Sequence, residues 1–375
     1  MKPVCIQINW QRQLGGGEIY TRFFTQALQA LGWEVHLIVD RKATFWRDLN
    51  LQGVRFIPIT HGREIPEVLP NTPAIVITHT MLPPETAQWV AQRHRLTGFV
   101  HMPLAERNPR GLAHYHRLFA VSTYVKETIL ARGHQQVHDE PLLGVADLKP
   151  RASSTGNIIR RSEFDWDKRK FRDRVLSWVE PVIDPLRTHP AFVRRPGLTL
   201  GIVSRHTPIK QFPTLFTKLA PVLADFPEVN LEIFGGGGYA SVRDLKQALV
   251  PIQKRVRFWG QQPNPAAIYP LLDYVLSGLP EREALGLNLI EAQACGTPVL
   301  AINAPPFTET VVDGASGFLY GDPRLDDGAA FAELIRRCTA GAARPDPRLA
   351  HDHLARFSSE AFRLRVDHAM SALLQ

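Results

Sequence analysis

Cysteine is scarce in this chain: three among 375 residues, Cys5, Cys295 and Cys338, set far apart. Such spacing makes neither a disulfide framework nor a metal cluster, and all three fall in patterns that read as core or helix, so reduced thiols are expected. Long apolar runs are missing as well. None reaches the roughly 18 residues that a membrane-spanning helix needs, and the opening MKPVCIQINW lacks the apolar stretch and small-residue cleavage site of a secretory signal, so a cytoplasmic location is expected. No short-period repeat occurs, and the one biased tract is the Ala/Gly/Arg/Pro-rich turn at Gly341–Pro347. Acidic residues are fewer than basic ones, 36 against 44, giving a net charge of +8. Residues 149–196 supply most of that excess, with 12 Lys/Arg against 6 Asp/Glu. A basic balance admits nucleic acid, an anionic membrane surface or phosphorylated small molecules as partners and does not choose among them.

What is present is apolar content of 44%, enough for two domains each with its own core. Short β-rich runs alternate with helical patterns: strand Val4–Asn9, helix Ile19–Leu31 and strand Val35–Val39, then strands Ala74–Thr78, Gly98–His101 and Leu118–Ser122 and the helix Tyr124–Arg132. A second series begins at strand Leu198–Ser204 and continues through helix Phe212–Asp225, strand Asn230–Phe234, helix Val242–Pro251 and strands Val256–Trp259 and Tyr274–Leu276. Helix Leu287–Cys295 and strand Val299–Ile302 close it. The alternation predicts an α/β protein of two doubly wound halves.

Ligands of such sheets bind beyond the carboxyl ends of the strands, so residues at those points carry the functional reading. Gly15-Gly16-Gly17-Glu18 lies between the first strand and the first helix, where glycine lets backbone approach an anion and a helix start favours negative charge. The triplet is neither G-x-G-x-x-G nor a P-loop with its Lys-Ser/Thr, so the dinucleotide and ATP fingerprints both fail. After the first strand of the second half, Arg205 and Lys210 flank a proline turn; Arg205 can fork two phosphate oxygens and Lys210 adds a point charge. Gly235 to Gly238 end the next strand in the same plane, as a surface for a base or phosphate or as a plain turn. In EREALGLNLIEAQACGTPVLA, residues 281–301, Gly286 precedes a helix whose amino end favours an anion, with Glu283 on the loop ahead and Glu291 one turn inside. Carboxylates so placed suit paired hydroxyls, as in a ribose or a hexose ring. The competing reading of Glu291 is a carboxylate complementing the helix dipole.

Taken in order, these segments make the chain resemble the retaining family-4 glycosyltransferases of the GT-B fold, in which two Rossmann-like domains face a central cleft holding a nucleotide-sugar. Gly15-Gly16-Gly17-Glu18 with Leu31-Gly32-Trp33-Glu34-Val35 looks like the family's first strand–loop–helix unit. Val121-Ser122 looks like its strand near the end of the first domain. Ser204-Arg205 with Lys210 looks like its phosphate clamp, and Glu283 to Glu291, followed by Gly296-Thr297-Pro298-Val299, looks like its E-x7-E signature. The resemblance implies that Arg205 and Lys210 grip the donor diphosphate, that Glu291 holds the ribose, and that Glu283 with the amides of Leu285, Gly286 and Leu287 holds the transferred sugar. It implies donor contacts from Gly16, Gly17 and Gly235, and an active-site role for His101 near the anomeric end. His79 ends the preceding strand in a similar motif. Three departures stand out: Gln211 where glycine usually follows the lysine, Leu279-Pro280 where a proline–serine pair is common, and Leu143-Gly144-Val145-Ala146 without the usual Asn and Asp.

On this resemblance the donor is a UDP- or GDP-linked hexose and the acceptor a glycan or lipid-linked glycan of the cell surface. Neither cofactor nor metal is needed, because the clamp and helix start supply the electrostatic catalysis, and nucleic acid is not a partner. Asp165-Trp166-Asp167 has the D-x-D spacing of metal-dependent transferases of another fold, but in a charged insert, where it reads as coincidence. The expected domains are residues 1–150, an insert at 151–195 and a donor-binding domain at 196–356, with a C-terminal helix at about 357–375 packing back on the first. Within the insert, Phe164, Phe171, Val175, Trp178 and Val182 recur at helical spacing among Arg169, Lys170, Arg172 and Arg174, a basic amphipathic helix. It suits either the cytoplasmic face of an anionic inner membrane or the protein's own first domain. A nucleotide-sugar epimerase and a non-catalytic nucleotide-sugar-binding protein are the alternative functions; the motif spacing disfavours the first and the intact charges the second.

Overall fold

The computed structural model describes residues 2–104, 110–146, 148, 158, 170–172, 174, 175, 178, 179 and 190–374. It divides into two compact units, Met1–Asp147 with Ala355–Gln375, and Leu148–Leu354. Most of the 151–195 insert, Asp165-Trp166-Asp167 included, lies outside the described residues.

The first unit contains strands β1 (Val4–Asn9), β2 (Glu34–Asp40), β3 (Arg55–Ile59), β4 (Ile75–Thr78), β5 (Arg95–Val100) and β6 (Arg117–Ala120). Its helices of eight or more residues are α1 (Gly16–Ala30), α2 (Pro84–Ala91) and α3 (Thr123–Ala131). In the second unit the strands are β7 (Leu198–Val203), β8 (Val229–Phe234), β9 (Val256–Gly260), β10 (Tyr274–Leu276), β11 (Val299–Ile302) and β12 (Gly317–Tyr320). Between them run α4 (Phe212–Ala224), α5 (Tyr239–Ala248) and α6 (Leu287–Ala294), and α7 (Ala329–Thr339) follows β12. A last helix, α8 (Ser359–Leu374), belongs to the first unit. There the Tyr20 ring of α1 meets Phe362 edge to face at 5.4 Å, and the Ala146 amide donates to the Phe357 carbonyl at 2.9 Å.

Each unit holds one six-stranded parallel sheet, ordered β3-β2-β1-β4-β5-β6 and β12-β11-β10-β7-β8-β9. Counted from its own first strand, each sheet runs 3-2-1-4-5-6, the doubly wound order, with the reversal between β1 and β4 in one unit and between β7 and β10 in the other. Parallel strands are covered on both faces, which explains why β8 is buried at all six positions and β1 at five.

Two strands carry no clear sequence signal. β3 contains Pro58, which cannot donate to a ladder and is tolerated because β3 is an edge strand. β12 is a four-residue edge strand beginning at Gly317, where a Cβ would fall 2.3 Å from the Val299 carbonyl oxygen. Helix α1 starts three residues before the expected Ile19, because Gly16, Gly17 and Glu18 form its first turn. The helix expected to run to Pro251 stops at Ala248, and a 3-10 turn over Val250–Arg255 takes its place.

Candidate functional site

In the second unit the loops leaving β7, β8 and β10 lock together through glycines. Gly235, just past β8, has φ +123° and lies so close to β7 that a Cβ would sit 1.9 Å from the Ser204 carbonyl oxygen. Gly278, just past β10, also closes on the loop after β7, its missing Cβ 2.5 Å from the Lys210 carbonyl oxygen. These contacts draw the carboxyl ends of β7, β8 and β10 into one surface at the sheet's switch point.

Lys210 and Glu283 meet on that surface in an ion pair, both largely sheltered. Glu283 also accepts from the Ala284 amide at 3.2 Å. Glu291, in the second turn of α6, accepts from the Tyr269 hydroxyl at 2.9 Å. Burial raises the Glu291 pKa, while the Tyr269 bond and the nearby Lys210 ammonium pull the other way. The same ammonium that pairs with Glu283 is thus within electrostatic reach of Glu291. Gly286 caps α6 at φ +80°, and the buried Leu285 and half-buried Leu287 bracket it. Arg205 is exposed at the end of β7. Beside it His206 is buried, which lowers its pKa to about 4. Gln211 sits at φ +53°, a left-handed conformation that glycine adopts more cheaply, immediately before α4.

Tyr269 was not among the residues singled out from the sequence. It lies in a 3-10 turn, Tyr269–Leu271, without a motif, and its hydroxyl reaches Glu291 only because that turn packs beside α6.

In the first unit the sequence candidates fall at the ends of β1, β4 and β5. Gly16 and Gly17 open α1, and a Cβ at either would meet nothing within 4 Å, so neither packing nor backbone conformation demands glycine there. His79 follows β4 and His101 follows β5. The two imidazoles touch, His79 Nδ1 to His101 Nε2 at 3.2 Å, and His79 Nε2 lies 2.8 Å from Gln7 Oε1. Phe99 stacks on both rings, and Tyr20 stands edge-on to His101 at 5.0 Å. Burial lowers the His101 pKa to about 4; burial and the neighbouring His101 push His79 well below its ordinary value. Both rings are neutral at physiological pH.

Among the described residues no cluster of three or more His, Cys, Asp or Glu is placed to hold a metal ion, and no helix is long and apolar enough to cross a membrane.

Residues 196–344 match the family model described as glycosyl transferases group 1. The chain is 34% identical over 170 residues to the D-inositol 3-phosphate glycosyltransferase of Mycobacterium marinum, a match spanning 43% of this chain and 35% of that protein. It is 31% identical over 153 residues to a GDP-mannose-dependent monoacylated alpha-(1-6)-phosphatidylinositol monomannoside mannosyltransferase of Corynebacterium glutamicum, spanning 37% of this chain and 39% of that protein. The chain thus spans well under half the length of these curated relatives. Among solved structures, Anabaena Alr3699/HepE in complex with UDP superposes with a TM-score of 0.69 over 99% of this chain and 100% of that one, at 17% identity. Sucrose-phosphate synthase from Thermosynechococcus elongatus gives 0.67 over 100% and 99%, at 18% identity. With two Rossmann-like parallel sheets in the same strand order, the fold is that of the GT-B class.

Proposed function

We propose that this chain is a retaining glycosyltransferase that moves a hexose-type sugar from a UDP- or GDP-linked donor to a hydroxyl of a glycan or lipid-linked glycan, in the synthesis of cell-surface polysaccharide or lipopolysaccharide. The observation that carries the reading is the position of Lys210, paired with Glu283 and near Glu291 at the switch point of the second sheet, inside the segment matching the family model. An ammonium has three donors, so Lys210 can hold Glu283 and a diphosphate oxygen together. Similarity to glycosyltransferases by sequence, and to a UDP complex by fold, supports the same class of donor.

In this reading Arg205 and Lys210 grip the diphosphate and stabilise the charge it gains as the bond to the anomeric carbon breaks. The free amides at the start of α6 add positive potential where the phosphates lie. Glu291, oriented by Tyr269, accepts from the ribose hydroxyls, and Glu283 with the amides of Leu285, Gly286 and Leu287 holds the sugar. The acceptor hydroxyl attacks from the face the nucleotide leaves, and its proton passes to the departing phosphate. No metal takes part in this scheme. Gly16, Gly17 and Gly235 lie against the donor, and His101 meets the sugar near its anomeric end. A thermal-shift panel of UDP-, GDP-, ADP- and dTDP-sugars tests the donor class: one nucleotide should raise the midpoint by mass action. No shift with any of them, at concentrations up to about 1 mM, the top of the usual substrate range, argues against the reading.

The acceptor is proposed to lie at an anionic inner-membrane face reached through the insert. Phe171, Val175, Trp178 and Val179 are exposed beside the exposed Lys170, Arg172 and Arg174. Exposed aromatic, aliphatic and basic side chains this close in sequence suit an anionic lipid surface. Co-sedimentation with anionic vesicles at low salt should be lost when Lys168–Arg174 is neutralised; binding that survives the change excludes this role.

A further inference from the structure

His79, Gln7 and Thr25 form a hydrogen-bonded chain behind His101 whose direction follows from which atoms can donate. Gln7 donates from Nε2 to Thr25 Oγ1 at 2.9 Å, which turns Oε1 toward His79 Nε2. A carbonyl oxygen only accepts, so with Gln7 in this orientation the proton of His79 belongs on Nε2. Its Nδ1 is then a lone pair, and the 3.2 Å contact with His101 Nε2 requires the proton of His101 on that nitrogen. The remaining nitrogen of His101, Nδ1, is an acceptor, and no described residue bonds to it.

The orientation of Gln7 is supported by the rung beside it. Asn9 Oδ1 accepts from the Gln11 amide at 3.1 Å, so its amide nitrogen is the atom facing Thr21 Oγ1 at 2.8 Å, and Thr21 passes its own proton to the Gly17 carbonyl at 2.8 Å. Gln7 and Thr25 repeat this pair two residues back on β1 and one turn on along α1. All four side chains are fully buried, so none exchanges its partner for water. Among the described residues, the other rings that meet His101 are Tyr20, whose hydroxyl is committed to the Leu142 carbonyl at 2.6 Å, with Arg365 near that ring, and the apolar Phe99.

We infer that Gln7 and His79 are positioning residues that hold His101 in the tautomer protonated on Nε2, leaving Nδ1 as a hydrogen-bond acceptor for a hydroxyl of the bound sugar. The hydroxyl as occupant rests on the proposed function; the tautomer does not. A chain fixed in this direction favours a hydroxyl, which donates, over a carboxylate, which meets a lone pair with a second negative group.

Long-range 1H–15N spectra of protein labelled at histidine nitrogen read the tautomer directly, with His101→Asn and His79→Asn used only to assign signals. The expected result at neutral pH is a protonated Nε2 and an unprotonated Nδ1 for both residues. In Gln7→Leu the acceptor is gone, so both histidines should move their protons to Nδ1, although residue 7 does not touch His101. A wild-type His101 protonated on Nδ1, or one unmoved by Gln7→Leu in a variant that keeps its native circular dichroism, overturns the inference. Failure of the donor panel would overturn the proposed function and leave this measurement standing. Turnover, where measured, should fall about tenfold or more in Gln7→Leu, as for other buried partners that orient a working histidine.

Discussion

Glu291 is buried enough to raise its pKa and is oriented by Tyr269, so its cost must be met by the ligand it serves. If that ligand is a ribose, Glu291→Ala should weaken binding of the favoured nucleotide by about tenfold or more, the worth of a charged hydrogen bond at roughly 1.5–3 kcal/mol. The same change should barely affect the dideoxynucleotide, and a calorimetric double-mutant cycle separates the two. Alongside His94 and His138, whose pKa values burial also lowers, His101 and His79 contribute to the acid sensitivity of the first unit. Folded, both stay neutral far below the ordinary 6.5, His101 down to about 4; unfolded, they take up protons below about 6.5. The unfolded state therefore binds more protons between these values, so their contribution is fully present above about pH 6.5 and is lost as pH falls toward about 4. Thermal unfolding at stepped pH should show the midpoint dropping through this window, and less steeply in His101→Asn. The charged candidates were legible in the sequence because strand ends announce themselves. The chain through Gln7 was not, since it joins residues 72 positions apart and depends on which nitrogen carries a proton.

At the scale of elements, the turns after β7 and β8 show opposite uses of glycine. Gln211 holds φ +53° ahead of α4, and its Oε1 is buried with no partner among the described residues. A left-handed residue with a side chain costs about 1–2 kcal/mol, of which glycine's extra chain entropy returns roughly 0.5–1, so Gln211→Gly should raise stability by about 0.5–1 kcal/mol. Gly235→Ala should do the reverse and more, by upwards of about 2 kcal/mol, because its Cβ would strike the Ser204 backbone at 1.9 Å. Denaturant melts of the two variants check the signs. Glutamine at 211 thus has a conformational cost that glycine would not carry. Glycine at Gly235 has a packing explanation of its own, whereas Gly16 and Gly17 face open space. Most strands and helices were readable from apolar alternation, with ends shifted by a few residues. β3 and β12 were not, because an edge strand tolerates Pro58 and a four-residue strand leaves too short a pattern.

The whole molecule repeats one sheet order twice and gives the two copies different chemistry at the same topological place. Beyond β7 and β10 lie cations and carboxylates; beyond β1, β4 and β5 lie glycines and neutral imidazoles. The proposed function assigns the nucleotide to the charged copy, and Lys210 is the residue on which that assignment turns. Isothermal titration of UDP and GDP, each beside its monophosphate, against the parent chain and Lys210→Ala tests it most directly. The account expects one diphosphate to bind more tightly than its monophosphate and to lose about tenfold or more of its affinity in Lys210→Ala, the worth of one charged hydrogen bond. Equal binding by the parent and Lys210→Ala would contradict it.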